Sequence, residues 1–497
     1  MLFLTDDAYS FYTGGTDLNT NQRSTITKVA KLDLSSQIDN YNLVKVGAEY
    51  RVHNVFYENI DLQPIQTQSA IDLTRDSPFI QTRILPLSSL SHNMYNRSPQ
   101  EISAYIQDKL EFKDFILNIG VRFDYFDPHG YVLNDQHPDP NDPLHYTYTV
   151  DDPNVYSPIK PDNIARTLEE RLVYWYRPTK AKYKVSPRIG GSFPITAEGV
   201  VHFSYGHFFQ VPRFDQLYLN SEFKLPSGTG NLGVVGNADL EPEQTINGEI
   251  GVQQQLTEDL SVDVTAYLRD IRNNTGTRAD EIIIFGGSAK YSKYVNSDFG
   301  FVKGIVLTVN KRFGAGMSAT LDYTYQVAKG SASDPQEARN AVAGGSLPEV
   351  QLNPLSWDQR HTLNVTASYA APQWGVSVIA QYGSGSPYTP RRAADITSLL
   401  TNSQLKPTLF NVDLRAYYEL RLDPLKLVFF ARVMNLFDIR NENAVNDDTG
   451  RAGFTTDEDR TLLTNPRERV NSVAAWYRRP AYFSEPRRIE LGMNLEF

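Results

Sequence analysis

Cysteine is absent from all 497 residues, so neither a disulfide framework nor a thiolate metal site can form. Long hydrophobic runs are missing as well. No stretch of about 18 apolar residues occurs, which excludes a transmembrane helix. Basic residues are outnumbered, 48 Lys and Arg against 58 Asp and Glu, and the resulting net charge of −10 leaves no basic stripe for nucleic acid. The first seven residues, Met1 to Asp7, carry no basic charge, few apolar residues and no small-residue cleavage site, so they are not a signal peptide. Catalytic signatures are lacking too: there is no H-E-x-x-H, no G-x-S-x-G and no phosphate-binding glycine loop. No catalytic residue, resident metal or cofactor is therefore expected.

What is present is aromatic and alternating. The chain holds 29 Tyr and 25 Phe but only 5 Met and 4 Trp, a balance suited to strands and interfacial girdles. A mean hydropathy of −0.41 would pass for a soluble protein. A membrane barrel escapes that screen, because only every second residue of a strand faces lipid and long loops dilute the average. The tail makes the point: Ile489, Leu491, Met493, Leu495 and Phe497 are apolar, whereas Arg488, Glu490, Gly492, Asn494 and Glu496 lie between them. A period of two puts the sets on opposite faces of a strand. Chain ends usually fray in water, and one apolar on a single face up to its last residue suits lipid instead.

Period-two reading gives about fifteen strand candidates, clearest over 115–125, 260–268, 319–327, 363–369 and 410–420. Many run roughly 10–13 residues, enough to cross a bilayer at a tilt, for which about 9–11 suffice. Their connections alternate without exception. Short ones, at Ser36–Asn40, Lys113–Asp114, Pro194–Gly199, Thr257–Asp259, Gly314–Gly316, Pro372–Gln373 and Leu422–Pro424, carry Gly, Pro, Asn and Asp. Long polar ones cover roughly 53–99, 128–181, 210–243, 272–301, 329–360, 384–409 and 438–486. The fold class expected is all-β: a transmembrane antiparallel β-barrel with short periplasmic turns and long extracellular loops.

Fixing Phe497 at the periplasm makes the strand over 24–35 run inward, so residues 1–23 form an extracellular loop or partial strand. Fifteen is odd, whereas single-chain bacterial barrels have even strand numbers. The expectation is a partial barrel over 24–497, about 15–16 strands, continued by a missing N-terminal part.

Several stretches resemble TonB-dependent outer-membrane receptors. Residues 237–243 read N-A-D-L-E-P-E, like the N-x-x-L-x-P-E segment of those barrels; Ser186, Pro187 and Arg188 match their S-P-R segment. Residues 435–438 read N-L-F-D, and W-D-Q-R-H over 357–361 and G-S-G-S-P-Y over 383–388 also fit. The alternation ending at Phe497 resembles the signal read by the barrel-assembly machinery. The resemblance implies a barrel of about 22 strands preceded by a signal, a TonB-contacting box and a plug, none visible here. It implies uptake of a scarce nutrient, such as a siderophore or other large solute, across the bacterial outer membrane. Partners would be outer-membrane lipid, the assembly machinery, the nutrient and, through the missing part, TonB. A passive porin-like channel is the alternative, and an outer-membrane enzyme is further away.

Charged residues on the polar side of strands, Arg122, Asp124, Arg188, Asp263, Arg269, Arg312, Asp322, Asp413, Arg415 and Glu419, are candidates for a lumen that grips a plug or lines a solute route. The plainer reading is a ladder of cross-strand pairs that fixes register. His129, His137 and His145 alternate with carboxylates, a weak metal pattern in a proline-rich loop. Tyr146, Tyr148, Tyr174, Trp175, Tyr176, Phe208, Phe209 and Tyr218 are candidates for an extracellular ligand site, or equally for loop packing and the aromatic girdle.

Overall fold

The computed structural model describes residues 18–64, 82–87, 91–133, 176–220, 230–278, 282–284, 289–344, 351–391, 401–464 and 473–497. Fifteen long strands dominate them. The first six are β1 (Asn19–Gln37), β2 (Asn42–Asp61), β3 (Gln100–Phe112), β4 (Phe115–Asp127), β5 (Lys182–Pro194) and β6 (Gly199–Gln210). Next come β7 (Glu243–Thr257), β8 (Leu260–Thr277), β9 (Ala289–Gly314), β10 (Met317–Gly330) and β11 (His361–Ala370). The last four are β12 (Trp374–Gly383), β13 (Leu409–Leu422), β14 (Leu425–Met434) and β15 (Arg488–Glu496).

Each strand pairs antiparallel with the next, from β1–β2 through β14–β15. Among the described residues β1 has only β2 beside it and β15 only β14. The turns are tight: 113–114, 258–259, 315–316 and 423–424 each join neighbours directly. Ala315 and Gly316 both take positive φ, as a two-residue hairpin turn demands.

Three strand ends depart from expectation. β2 continues to Asp61, and β8 and β9 extend to Thr277 and back to Ala289, where loops over 53–99 and 272–301 were expected. These extensions mix polar and apolar residues on each face (Asn54, Phe56 and Glu58 on one, Val55, Tyr57 and Asn59 on the other), so alternation in hydropathy stops before the backbone ladder does.

Register sorts the faces. Leu34, Val46, Ile106 and Val121 form one row across β1–β4, all solvent-accessible and apolar, as a lipid-facing surface must be. At the other end Leu427, Phe429, Ala431 and Val433 oppose Leu495, Met493, Leu491 and Ile489, so the terminal alternation is one apolar face. The opposite face is polar: Tyr105, Arg122 and Ser186 form a row across β3–β5.

The polar face is concave. Helix α1 (Phe214–Tyr218) follows β6, yet Phe214 stacks edge-on against His53 of β2 at 5.1 Å and Tyr218 packs with Phe126 of β4. Four strand spacings separate β2 from β6, roughly 19 Å if flat, and one helical turn bridges them only because the sheet curls.

Candidate functional site

At the long-loop end, α1 anchors the main buried cluster. Tyr218, Leu217 and Leu240 pack with Val55, Tyr95, Phe126, Val132 and Tyr294. The Tyr218 hydroxyl donates to the Pro128 carbonyl, and burial pushes that phenol far above its ordinary range. Asn237 donates to the Tyr294 carbonyl at 3.0 Å, while the Tyr294 hydroxyl accepts from Gln336 at 2.9 Å. Tyr294 thus ties three connections together.

The sequence motifs prove to be latches at loop bases. Asp239 accepts from Arg177 at 3.0 Å and from Lys182 at 2.9 Å. Burial alone would raise the Asp239 carboxyl, but those two cations hold it below the ordinary range. Asp358 is 0 % exposed; one carboxylate oxygen takes the Ala328 N–H and the other the Arg360 Nε, both at 2.7 Å. Gln359 donates to the Ser384 carbonyl at 2.9 Å, so W-D-Q-R-H is docked on G-S-G-S-P-Y. Asn435, at positive φ, holds the Ile439 and Glu485 carbonyls with its amide.

The predicted lumen residues lie on the polar face, mostly in local pairs. Arg122 donates to Asp124 at 2.8 Å, Thr308 to Asp322 at 2.7 Å, and Asp263 faces His202 at 3.4 Å. Asp413 accepts from Asn411 and from the Asn435 N–H. Glu419 lies 3.5 Å from both Arg421 and Lys426. Arg269 stands over Tyr267 at 5.5 Å, and the Arg312 backbone N–H meets the Asp259 carbonyl near a turn. Arg415 faces Arg432, which pairs instead with Glu490 at 3.8 Å. Arg188 stands over the Phe208 ring at 4.5 Å. The ladder therefore occupies most of the carboxylates and leaves Arg188, Arg269, Arg312 and Arg415 without one among the described residues.

Of the aromatic candidates, Phe208 is exposed on the polar face, whereas Tyr218 is wholly buried. Tyr218 is thus closed to a ligand from solvent, because α1 carries its ring into the cluster; Phe209 packs against the same cluster. Tyr176 begins a short strand paired with Tyr131–Leu133. Tyr146, Tyr148, Tyr174 and Trp175, with His137 and His145, lie outside the described residues. His129 holds the Ser98 carbonyl at 2.7 Å and faces Asp127 at 3.3 Å, and among the described residues no set of three metal-ligating side chains converges. The acidic stretch of the last long loop is engaged internally. Asp448 caps Thr455 and Thr456, Asp457 meets Arg391, and Glu458 meets Arg478. The sequence marked W-D-Q-R-H without assigning Asp358 a role, and singled out neither Tyr294 nor α1 as an element; each gains its role from partners distant in the chain.

A family model described as TonB dependent receptor-like, beta-barrel, matches residues 3–436. Among curated proteins, none matches by sequence. Several solved structures share the fold. The ferric-catecholate import receptor Fiu of Escherichia coli K12 superposes with a TM-score of 0.51 at 17% identity, over 96% of this chain and 55% of that one. The outer membrane transporter YddB of Escherichia coli gives 0.56 at 12%, over 86% and 52%. The ferric enterobactin receptor PfeA of Pseudomonas aeruginosa gives 0.52 at 15%, over 96% and 54%. The chain spans about half the length of the solved structures it matches.

Proposed function

The chain belongs to the TonB-dependent receptor-like β-barrel family, and from that membership we propose that it forms the wall of a receptor importing a scarce nutrient across the bacterial outer membrane. The observation that carries this reading is the fifteen-strand antiparallel meander with alternating short and long connections, the first fourteen strands of which the family model covers. The family and its structural neighbours are receptors and transporters rather than enzymes.

The finer reading extends the printed roles of those neighbours, ferric-catecholate import among them, to a siderophore or comparably large solute here. Long loops would meet the solute outside the cell, and the latched mouth would hold those loops at fixed positions. Energy coupling through TonB would use a part of the protein corresponding to the unmatched half of the relatives. Ile489, Leu491, Met493, Leu495 and Phe497 would present the assembly signal, and the lipid-facing rows would hold the wall in the membrane.

Deleting the gene and measuring growth and radiolabelled ferric-siderophore uptake under iron limitation tests this. Uptake should fall and should require an energised inner membrane. Unchanged uptake across a panel of chelates and large solutes, with the purified protein conducting small ions continuously, would establish the porin reading instead.

A further inference from the structure

The concave face holds a notch built around a cation that no ion pair engages among the described residues. Arg188 on β5 has Gly120 of β4 and Gly206 of β6 as its register neighbours, so neither flank carries a side chain. The row below reads Asn118, Gly190 and Ser204. Arg188 lies across the bare Gly206 backbone; a Cβ there would sit 3.2 Å from its Cγ and 3.3 Å from the Phe208 ring. The glycine is thus what lets the guanidinium lie down on Phe208, 4.5 Å from the ring centre.

This arginine stands outside any ion pair: the nearby Asp124 is engaged by Arg122, and no carboxylate lies within ion-pair distance of Arg188 among the described residues. Glu249, farther along the same face, is turned to the Asn247 amide at 2.8 Å. Lys45 lines the same cleft, is exposed, and likewise has no carboxylate partner. The cleft measures about 500 Å³ and adjoins a second of about 320 Å³, both lined by Arg122, Arg188 and Phe208; the second also carries Glu101 and Asp124, which are taken up by His53 and Arg122. A guanidinium backed by a ring and bare backbone presents its remaining N–H groups as a fork to the open side. Its complement is a planar oxyanion taken bidentately.

We propose that this notch binds a carboxylate or phosphate group of an anionic solute, with Arg188 as the fork and Lys45 as a second charge. Phe208 shields one side from water and so strengthens the attraction. The site deepens the uptake reading, on which its physiological direction rests, by giving the wall a preference for anionic cargo. The two are separable, since binding is read at equilibrium without energised transport.

The test is equilibrium dialysis of the full chain in detergent at low ionic strength, with citrate and inorganic phosphate as probes and glucose as the neutral control. At least one oxyanion should be retained above glucose, with affinity falling at least ten-fold in Arg188→Gln and partly kept in Arg188→Lys. Lys45→Gln, at an exposed position, should lower affinity about three-fold and serves where Arg188→Gln fails to fold. Equal retention of oxyanions and glucose overturns the proposal. So does retention unchanged in a folded Arg188→Gln, or in Lys45→Gln where that variant alone folds.

Discussion

Asp298 sits on β9 beyond Lys303, past the apolar stripe of Ile305, Leu307 and Val309. Burial pushes its carboxyl up to about 6; a hydrogen bond from Ser297 works against this, and Glu337 and Asp334 add to it. The folded chain therefore keeps this proton up to about pH 6, whereas the unfolded chain releases it near the ordinary 3.8. Between those values the folded state binds more protons, so local stability is full at acid pH and declines as pH rises through the interval. Protease protection of residues 331–344, which carry Asp334 and Glu337, should accordingly fall between pH 4 and pH 7. Asp298→Asn should hold acid-level protection across that range; an unchanged slope in the variant would refute the assignment. Arg188 poses a different residue-scale problem, a charge that rests on a ring and has no ion pair among the described residues.

Helix α1 is five residues long, too short to hold itself in water, so its existence depends on what it packs against. Tyr218→Ala should cost about 3–5 kcal/mol of local stability by emptying its site. Tyr218→Phe, losing only the bond to Pro128, should cost about 1 kcal/mol. Hydrogen exchange over 211–220 and 236–242 would show both, with the alanine variant opening first. If the two variants exchange alike, the ring's packing is not what holds the element. Strands of this kind are legible because lipid on one side and a polar interior on the other impose a strict period of two. Phe115 to Tyr125 and Ile489 to Phe497 announce themselves in that way. The same physics hides the outer ends of β2, β8 and β9, where loops rather than lipid cover the strands (Val55 and Tyr294 lie in the buried cluster) and the ladder continues without the period of two. Site residues are legible in part. Sequence placed Arg188 on the polar face, but its bare flanks depend on Gly120 and Gly206, brought alongside only by register. W-D-Q-R-H was recognisable as a family mark, whereas the buried tie from Asp358 to Ala328 spans 30 residues and is invisible in one dimension.

On the scale of the whole molecule, β1 and β15 each offer an unpaired row of backbone donors and acceptors among the described residues, and such edges recruit other strands. The 56.2 kDa chain, purified alone in detergent, should therefore run as dimers or larger species in light scattering. A monodisperse, heat-resistant monomer would show that the edges are satisfied within one chain. The outline is also uneven along its rim. β9 is 26 residues long, roughly 86 Å of strand at about 3.3 Å per residue. At a tilt of about 45° it rises about 60 Å, against a hydrocarbon core of about 30 Å. That excess length does not stand free: Ala289 to Lys293 run beside the strand over 230–235, and Tyr294 joins the buried cluster with Tyr218 and Phe126. The tall strand is thus a stake to which the neighbouring connection is tied, so displacing one drags on the other.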